Sequence, residues 1–219
     1  IQTAGITLEL DRDMGVTDRR VKDAQEVAHL RKAQEGTEQV MRMACETVAN
    51  AEADEAGVLR VNGSALTSES VRTMIDSFLL ERNFFNPSSI VAGGSDGGDC
   101  HHLGSGELHT CQPIIIDIFP LDKSSMYNGD CTRTVVHGTI PEEVAKMHEA
   151  VVAAKEAATA AVKAGVTGES IHFETIRVLT EHGYCEGLPT ENDPPTHCSM
   201  PHGTGHGIGL YVHEPPLLD

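Results

Sequence analysis

The chain has 219 residues, 39% of them hydrophobic, and its 33 acidic residues against 16 basic ones give a formal charge of −17. Nucleic acids and anionic membranes are bound through clustered cations, so this charge argues against both as partners. No apolar run approaches the ~20 residues of a membrane span. The six cysteines form no C-x-x-C pair, which favours free thiols in a reducing compartment and hence a cytoplasmic protein.

The first half of the chain reads as helices followed by strands. Residues 1–17 are interpreted as a linker from an upstream domain, because the chain begins at Ile1 and this stretch is polar and contains glycine. Apolar residues recur at helical spacing over residues 17–51. Gly36 leaves two alternatives open, one helix or two stacked helices. The next predicted elements are a loop over 51–66, a helix capped by Thr67, a strand at 90–92, and an antiparallel hairpin formed by 113–120 and 127–136.

The second half repeats this order. Pro141 opens an alanine-rich helix that ends near Gly165, and Thr167 caps another helix. Thr67-Ser-Glu-Ser-Val and Thr167-Gly-Glu-Ser-Ile are the same kind of helix start, offset by 100 residues. We therefore expect an α+β fold of two α-α-β-β halves that face each other around a central site.

Within the segment 197–214, residues 202–213 concentrate three histidines and four glycines, His202-Gly-Thr-Gly-His206-Gly-Ile-Gly-x-x-x-His213. So many glycines disfavour a helix and indicate a strand or turn. Asp117 lies within an apolar strand, where an uncompensated carboxylate is costly, and Asp130 can lie beside it on the partner strand. Two aspartates with His206 would suit a divalent metal ion of intermediate hardness.

These residues resemble a known family. Asp117, Tyr127-x-x-Asp130-x-Thr-Arg-Thr and the histidine segment, which continues into Glu214-x-Pro216, resemble the pita-bread metallopeptidases, that is, the methionine aminopeptidases and the Xaa-Pro peptidases. The stretch Arg20-Val-Lys-Asp-x-x-Glu26 is similar to the start of a Xaa-Pro peptidase catalytic domain. The resemblance covers roughly residues 18–219, which would form the catalytic domain.

The resemblance implies a set of roles. Asp117, Asp130 and His206 would be ligands of two divalent metal ions, with Asp130 bridging them; Mn is favoured, and Co, Zn or Fe are alternatives. His101 would handle substrate and protons, with His102 as the alternative if the alignment slips by one. His202 and His213 would line the substrate cleft. The implied reaction is hydrolysis of Xaa-Pro peptides by a hydroxide that the two metal ions activate, and a homodimer is an open expectation.

The resemblance also implies an omission. The family's two remaining ligands are glutamates on strands after the His-Glu-x-Pro segment, and the sequence stops at Asp219. We therefore expect the last hairpin to be missing and the 219-residue chain to bind little metal. Two other functions are weighed against the Xaa-Pro peptidase: a methionine aminopeptidase, and a non-catalytic binding module of the same fold. The retained aspartates and histidines argue against the binding module.

Overall fold

Short strands and longer helices alternate along the residues that the computed structural model describes, which are residues 5, 9–10, 14–194 and 197–219. The helices are α1 (Val16–Arg20), α2 (Ala24–Ala49), α3 (Ser68–Glu81), α4 (Glu142–Ala161) and α5 (Gly168–Glu181). The strands are β1 (Glu52–Ala53), β2 (Leu59–Val61), β3 (Ser64–Ala65), β4 (Phe84–Phe85), β5 (Ser89–Gly93), β6 (Pro113–Ile118), β7 (Leu121–Asp122), β8 (Cys131–Val136), β9 (Cys185–Glu186), β10 (Ser199–Met200), β11 (Gly205–Gly207) and β12 (Glu214–Leu218). Within these ranges, no helix is long and apolar enough to cross a bilayer.

The predicted linker 1–17 falls largely outside the described residues, which omit 1–4, 6–8 and 11–13. Its last two residues belong to α1. After α1, the side chain of Asp23 accepts a hydrogen bond from the backbone of Glu26, whose own side chain accepts one from the backbone of Asp23. This reciprocal capping box fixes the start of α2.

Helix α2 is one continuous helix of 26 residues, which decides between the two alternatives left open at Gly36. Gly36 is buried, and a Cβ built on it would lie 2.4 Å from Cζ of Phe84. The glycine therefore serves close packing of the Phe84 ring against the helix, and it does not interrupt the helix.

The prediction of a loop over 51–66 is wrong for much of that stretch. Strands β1, β2 and β3 form a small antiparallel meander there. Asn62 and Gly63 connect β2 to β3 with φ angles of 52° and 78°, as a two-residue hairpin turn requires. Strands of two or three residues are too short for an alternating pattern of apolar and polar residues to develop. In this stretch the Asn62-Gly63 pair is the sequence feature that indicates a hairpin turn.

The predicted hairpin is confirmed as part of a three-stranded antiparallel sheet in the order β5-β6-β8. Along β6, Ile114, Ile116 and Ile118 are fully buried, whereas the residues between them are half-buried. This alternation packs the isoleucines into the core of the first half with α2 and α3. Asp117 therefore lies on the opposite face of the sheet.

The internal repeat is confirmed at its helix starts. Ser70 N–H donates to Thr67 Oγ1 at 3.1 Å, and Ser170 N–H donates to Thr167 Oγ1 at 3.1 Å. Helices α3 and α5 each have 14 residues at the same offset. In the second half α4 and α5 pack together, and the histidine segment forms β11, antiparallel to β12.

Candidate metal centre

Asp117 is held from the neighbouring strand. It pairs with Thr132 in the β6–β8 register, and the Thr132 hydroxyl donates to Asp117 Oδ1 at 2.7 Å. The carboxylate is half-buried, and burial raises its pKa above the usual value although this hydrogen bond opposes the rise. The group is therefore a carboxylate in a poorly solvated place that nearby positive charge would stabilise.

Asp130 is set by the close approach of the hairpin to α2. Its backbone N–H donates to Gln34 Oε1 at 3.1 Å. The preceding residue, Gly129, lies so near α2 that a Cβ there would come within 2.1 Å of Thr37 Oγ1 and 2.7 Å of the Ala33 carbonyl oxygen. Glycine at 129 thus lets the hairpin lie directly on the helix, and this fixes where the next residue projects.

His206 meets Asp130 across the two halves, with Nε2 3.3 Å from Asp130 Oδ2. The other ring nitrogen, Nδ1, lies 2.9 Å from the carbonyl oxygen of Gly207. A carbonyl only accepts, so Nδ1 carries the proton and, in a neutral ring, Nε2 presents its lone pair to the carboxylate. Two acceptors facing each other at this distance require a proton or a cation between them.

The proximity of the Asp117 and Asp130 carboxylates increases the need for a proton or a cation at this site. Burial raises the pKa of Asp130, and the negative charge of Asp117 raises it further, while His206 and His213 act in the opposite direction. The side chains of Asp130 and His206 are each about one quarter exposed, so solvent screens the repulsion only in part. Two aspartates and one correctly oriented imidazole are a donor set that fits a divalent metal ion.

Of the three histidines predicted to handle substrate, the structure brings one to this site. The ring of His213 packs edge-on against His206, with 4.3 Å between ring centroids and 85° between planes. His202 is exposed, and its Nδ1 donates to the Gly203 carbonyl at 2.8 Å. Among the described residues, no hydrogen bond or ion pair joins His202 to Asp117, Asp130 or His206.

His101 lies in an exposed turn beside Asp99 and Cys100, with donor atoms of the three within 4.8 Å of one another. Its backbone N–H donates to Asp99 Oδ1, and its Nδ1 lies 3.7 Å from Cys100 Sγ. The alternative residue, His102, accepts the Gly104 N–H at Nδ1. Within the described part of the chain, no hydrogen bond or ion pair joins either histidine to Asp117, Asp130 or His206.

Sequence reasoning missed the residues that hold the two halves together. Asn128 is buried, and both its backbone N–H and its Nδ2 donate to the carbonyl of Gly209, at 2.9 and 3.0 Å. These bonds join the hairpin that carries Asp130 to the loop between His206 and His213. Asn128 is followed by a glycine, and this Asn-Gly pair indicates only a turn. Nothing in the local pattern indicates a partner 81 residues away.

Comparison with known protein families identifies the family to which the chain belongs. Residues 28–219 match the family described as metallopeptidase family M24. The chain belongs to metallopeptidase family M24. The match includes Asp117, Asp130 and His206, and it confirms the resemblance seen in the sequence.

Family M24 relatives agree with this assignment. The chain is 34% identical over 130 residues to a probable dipeptidase PepE of Mycobacterium bovis, covering 59% of this chain and 31% of that protein. It is 31% identical over 178 residues to a Xaa-Pro dipeptidase of Lactobacillus helveticus, covering 78% of this chain and 44% of that protein. The chain thus spans less than half the length of these curated relatives.

Solved structures confirm the fold. The crystal structure of dipeptidase PepE from Mycobacterium ulcerans matches with a TM-score of 0.77 and 27% identity, over 99% of this chain and 52% of that one. The chain therefore has the expected pita-bread fold. In the described residues, β11 and β12 form a sheet separate from β5-β6-β8, and the double hydrogen bond of Asn128 links the two halves at the site.

Proposed function

We propose that the protein hydrolyses peptide bonds in Xaa-Pro peptides with the help of divalent metal ions. The observation that carries this proposal is the facing pair of acceptors, His206 Nε2 and Asp130 Oδ2 at 3.3 Å, beside the half-buried Asp117. Membership of a metallopeptidase family and the Xaa-Pro dipeptidase among the relatives support it. Residues 18–219 would form the catalytic domain.

We further propose Asp117, Asp130 and His206 as ligands of two ions, with Asp130 shared. Donors to one ion lie roughly 2.1 Å from it and so at most about 4.2 Å apart. Among the described residues, the donor atoms that lie within 4.8 Å of one another as a group belong to Asp99, Cys100 and His101, and the proposed three are not such a group. Two ions that share Asp130 as a ligand would accommodate the wider spacing. A set of oxygens with one imidazole favours Mn, with Co, Zn or Fe as alternatives.

The metal ions would supply Lewis acidity that activates water and polarises the scissile carbonyl. The chain's own residues would bind and orient the peptide and move protons. His213 is exposed and packs on His206, and it would pass a proton to the leaving amine. His202 and His101 are proposed as residues of the surrounding substrate cleft.

The proposal is tested with the protein expressed from the complete open reading frame, supplied with Mn²⁺ and assayed on Xaa-Pro and Met-Ala peptides of equal length. We expect cleavage of Xaa-Pro peptides, with activity lost on chelation and reduced at least about 100-fold by Asp130→Asn, which removes the shared carboxylate charge. Asp122→Asn, which changes another buried aspartate, is the control and should retain activity. Preference for Met-Ala would point to the methionine aminopeptidase, and binding without cleavage would point to the non-catalytic module.

A further inference from the structure

The link between α1 and α2 carries, just before the start of α2, a lysine whose partner lies 192 residues away. Lys22 Nζ donates to Glu214 Oε2 at 3.1 Å. The Glu214 side chain is only 3% exposed and that of Lys22 13%. A carboxylate taken so far out of water needs a compensating cation, and Lys22 supplies it.

Glu214 also organises the turn on which it stands. Its Oε1 accepts the backbone N–H of Tyr211 at 3.1 Å. A Cβ built on Gly209 would lie 2.6 Å from Glu214 Oε2, so the turn wraps closely around the carboxylate. Arg19 adds a weaker contact, 3.9 Å from Oε1 and 5.0 Å above the Tyr211 ring. The conformation of residues 209–214 therefore depends on where Glu214 is held.

His213 is the neighbour of Glu214, and its ring packs on His206 at 4.3 Å. A displacement of Glu214 would thus reach the candidate metal centre through a single residue. The same end of α2 also holds the other half of the site, because Glu26 accepts the Tyr127 hydroxyl at 2.8 Å, three residues before Asp130. Two side chains of one helix start thereby contact the segments that bear Asp130 and His213.

We propose that Lys22 is a positioning residue for His213, acting through its ion pair with Glu214. Its consequence for catalysis rests on the peptidase function proposed above, whereas its consequence for the placement of His213 does not. The competing interpretation is an ion pair that only stabilises the fold. The chain offers a comparison in Lys32, whose Nζ lies 2.9 Å from the similarly buried carboxylate of Asp122. Asp122 belongs to β7 and not to residues 209–214, which we call the histidine turn.

The first test uses the 219-residue chain, without metal, with ¹³C-labelled histidine ring carbons observed by NMR. We expect Lys22→Met to shift the ring signals of His206 and His213 by more than a line width, because their edge-on packing changes. Lys32→Met should leave both signals in place, and Lys22→Arg should largely restore them. Glu214→Gln breaks the same ion pair from the other side, so it replaces Lys22→Met if that variant does not fold. Unchanged ring signals, or equal shifts in Lys32→Met, would overturn the proposal.

The second test measures peptide hydrolysis by the protein from the complete open reading frame. Lys22→Met should lower kcat by about 10- to 100-fold with a much smaller change in KM, since a misplaced proton carrier affects the reacting state more than substrate binding. Lys32→Met should keep kcat. An inactive wild-type protein would reject the peptidase function, and the NMR comparison would still decide whether Lys22 places His213.

Discussion

At the scale of single residues, the candidate metal centre brings two mutually repelling carboxylates, Asp117 and Asp130, close together. Burial raises the pKa values of Asp117 and Asp130, and for Asp130 the charge of Asp117 adds to the rise. A carboxyl group with a higher pKa in the folded than in the unfolded chain destabilises the fold above its unfolded pKa, and the penalty grows as pH rises through the folded pKa. These two carboxylates should therefore lower the stability of the metal-free chain as the pH rises from acid to neutral, in opposition to carboxylates such as Asp122 whose pKa is lowered.

Asp130→Asn is expected to stabilise the metal-free chain at pH 7, because it removes one of the two repelling charges. A gain of about 1 kcal/mol corresponds to a rise in Tm of about 2–4 °C for a chain of this length. Thermal melts in a chelator measure it. In the protein from the complete open reading frame, Mn²⁺ should reverse the order by stabilising the wild type alone.

Asp122→Asn is the control for that prediction and should lower the Tm of the metal-free chain. Asp122 is buried, yet hydrogen bonds from Lys32 and Ser124 outweigh the burial and lower its pKa to about 2. Its charged form therefore stabilises the fold at neutral pH. A lower Tm for Asp130→Asn in chelator would show that the site carries no net repulsion.

The sequence alone points to candidate donor residues, because Asp117 interrupts an apolar strand and His206 lies in a glycine-rich segment. It could not predict what holds them. Lys22 and Glu214 were both visible in the motifs that suggested the family, but an ion pair across 192 residues has no local pattern. The contact follows from how the two halves pack, and that is a property of the folded chain.

At the scale of elements, α2 acts as the surface on which the hairpin is seated. Gly129→Ala places a Cβ against backbone and buried side-chain atoms of α2, 2.7 Å from the Ala33 carbonyl oxygen. We expect a loss of about 1–3 kcal/mol in the free energy of unfolding, measured by urea denaturation. The hairpin must move away from α2, so the Mn²⁺ affinity of the protein from the complete open reading frame should fall as well.

Gly98→Ala is the matched control, since a Cβ there meets nothing within 4 Å and the residue has no positive φ. Its free energy of unfolding should stay within about 0.5 kcal/mol of the wild type. Equal free energies of unfolding for the two variants would mean that the hairpin can move away from α2 without a loss of stability.

Elements with strong end signals could be predicted from the sequence. Thr67 and Thr167 cap their helices as expected, because a hydroxyl that accepts the N–H three residues on is a local interaction. The meander of β1 to β3 was missed, because its short strands are stabilised by neighbours such as the bridge between Val58 and His109. Such partners cannot be identified from a window of a few residues.

At the scale of the whole molecule, the two halves have unequal cores. The cluster around α2, α3 and β6 contains many fully buried branched residues, among them Val40, Ile75 and Ile116. The cluster between α4 and α5 centres on Ala150, Ala154, Val178 and Leu179. Alanine buries little apolar area, so the second half gains less from packing.

Native-state hydrogen exchange of the 219-residue chain should reveal this inequality. Amides in α4 and α5 are expected to open with a free energy about 1–2 kcal/mol below that of amides in α2 and β6, because fewer apolar contacts must be broken. The denaturant dependence of exchange identifies each cooperative unit. A single opening free energy for all four elements would contradict the prediction and indicate one cooperative unit.

The Lys22–Glu214 ion pair has a consequence for the order of events on the ribosome. At synthesis rates of about 5–20 residues per second, Glu214 follows Lys22 by roughly 10 to 40 seconds. Throughout that interval Lys22 has no acidic partner from the histidine turn. The hydrophobic core of the first half must therefore hold the start of α2 in place. The aspartates are therefore made before the imidazole that completes the set, and the nascent chain cannot assemble this site until both halves have emerged.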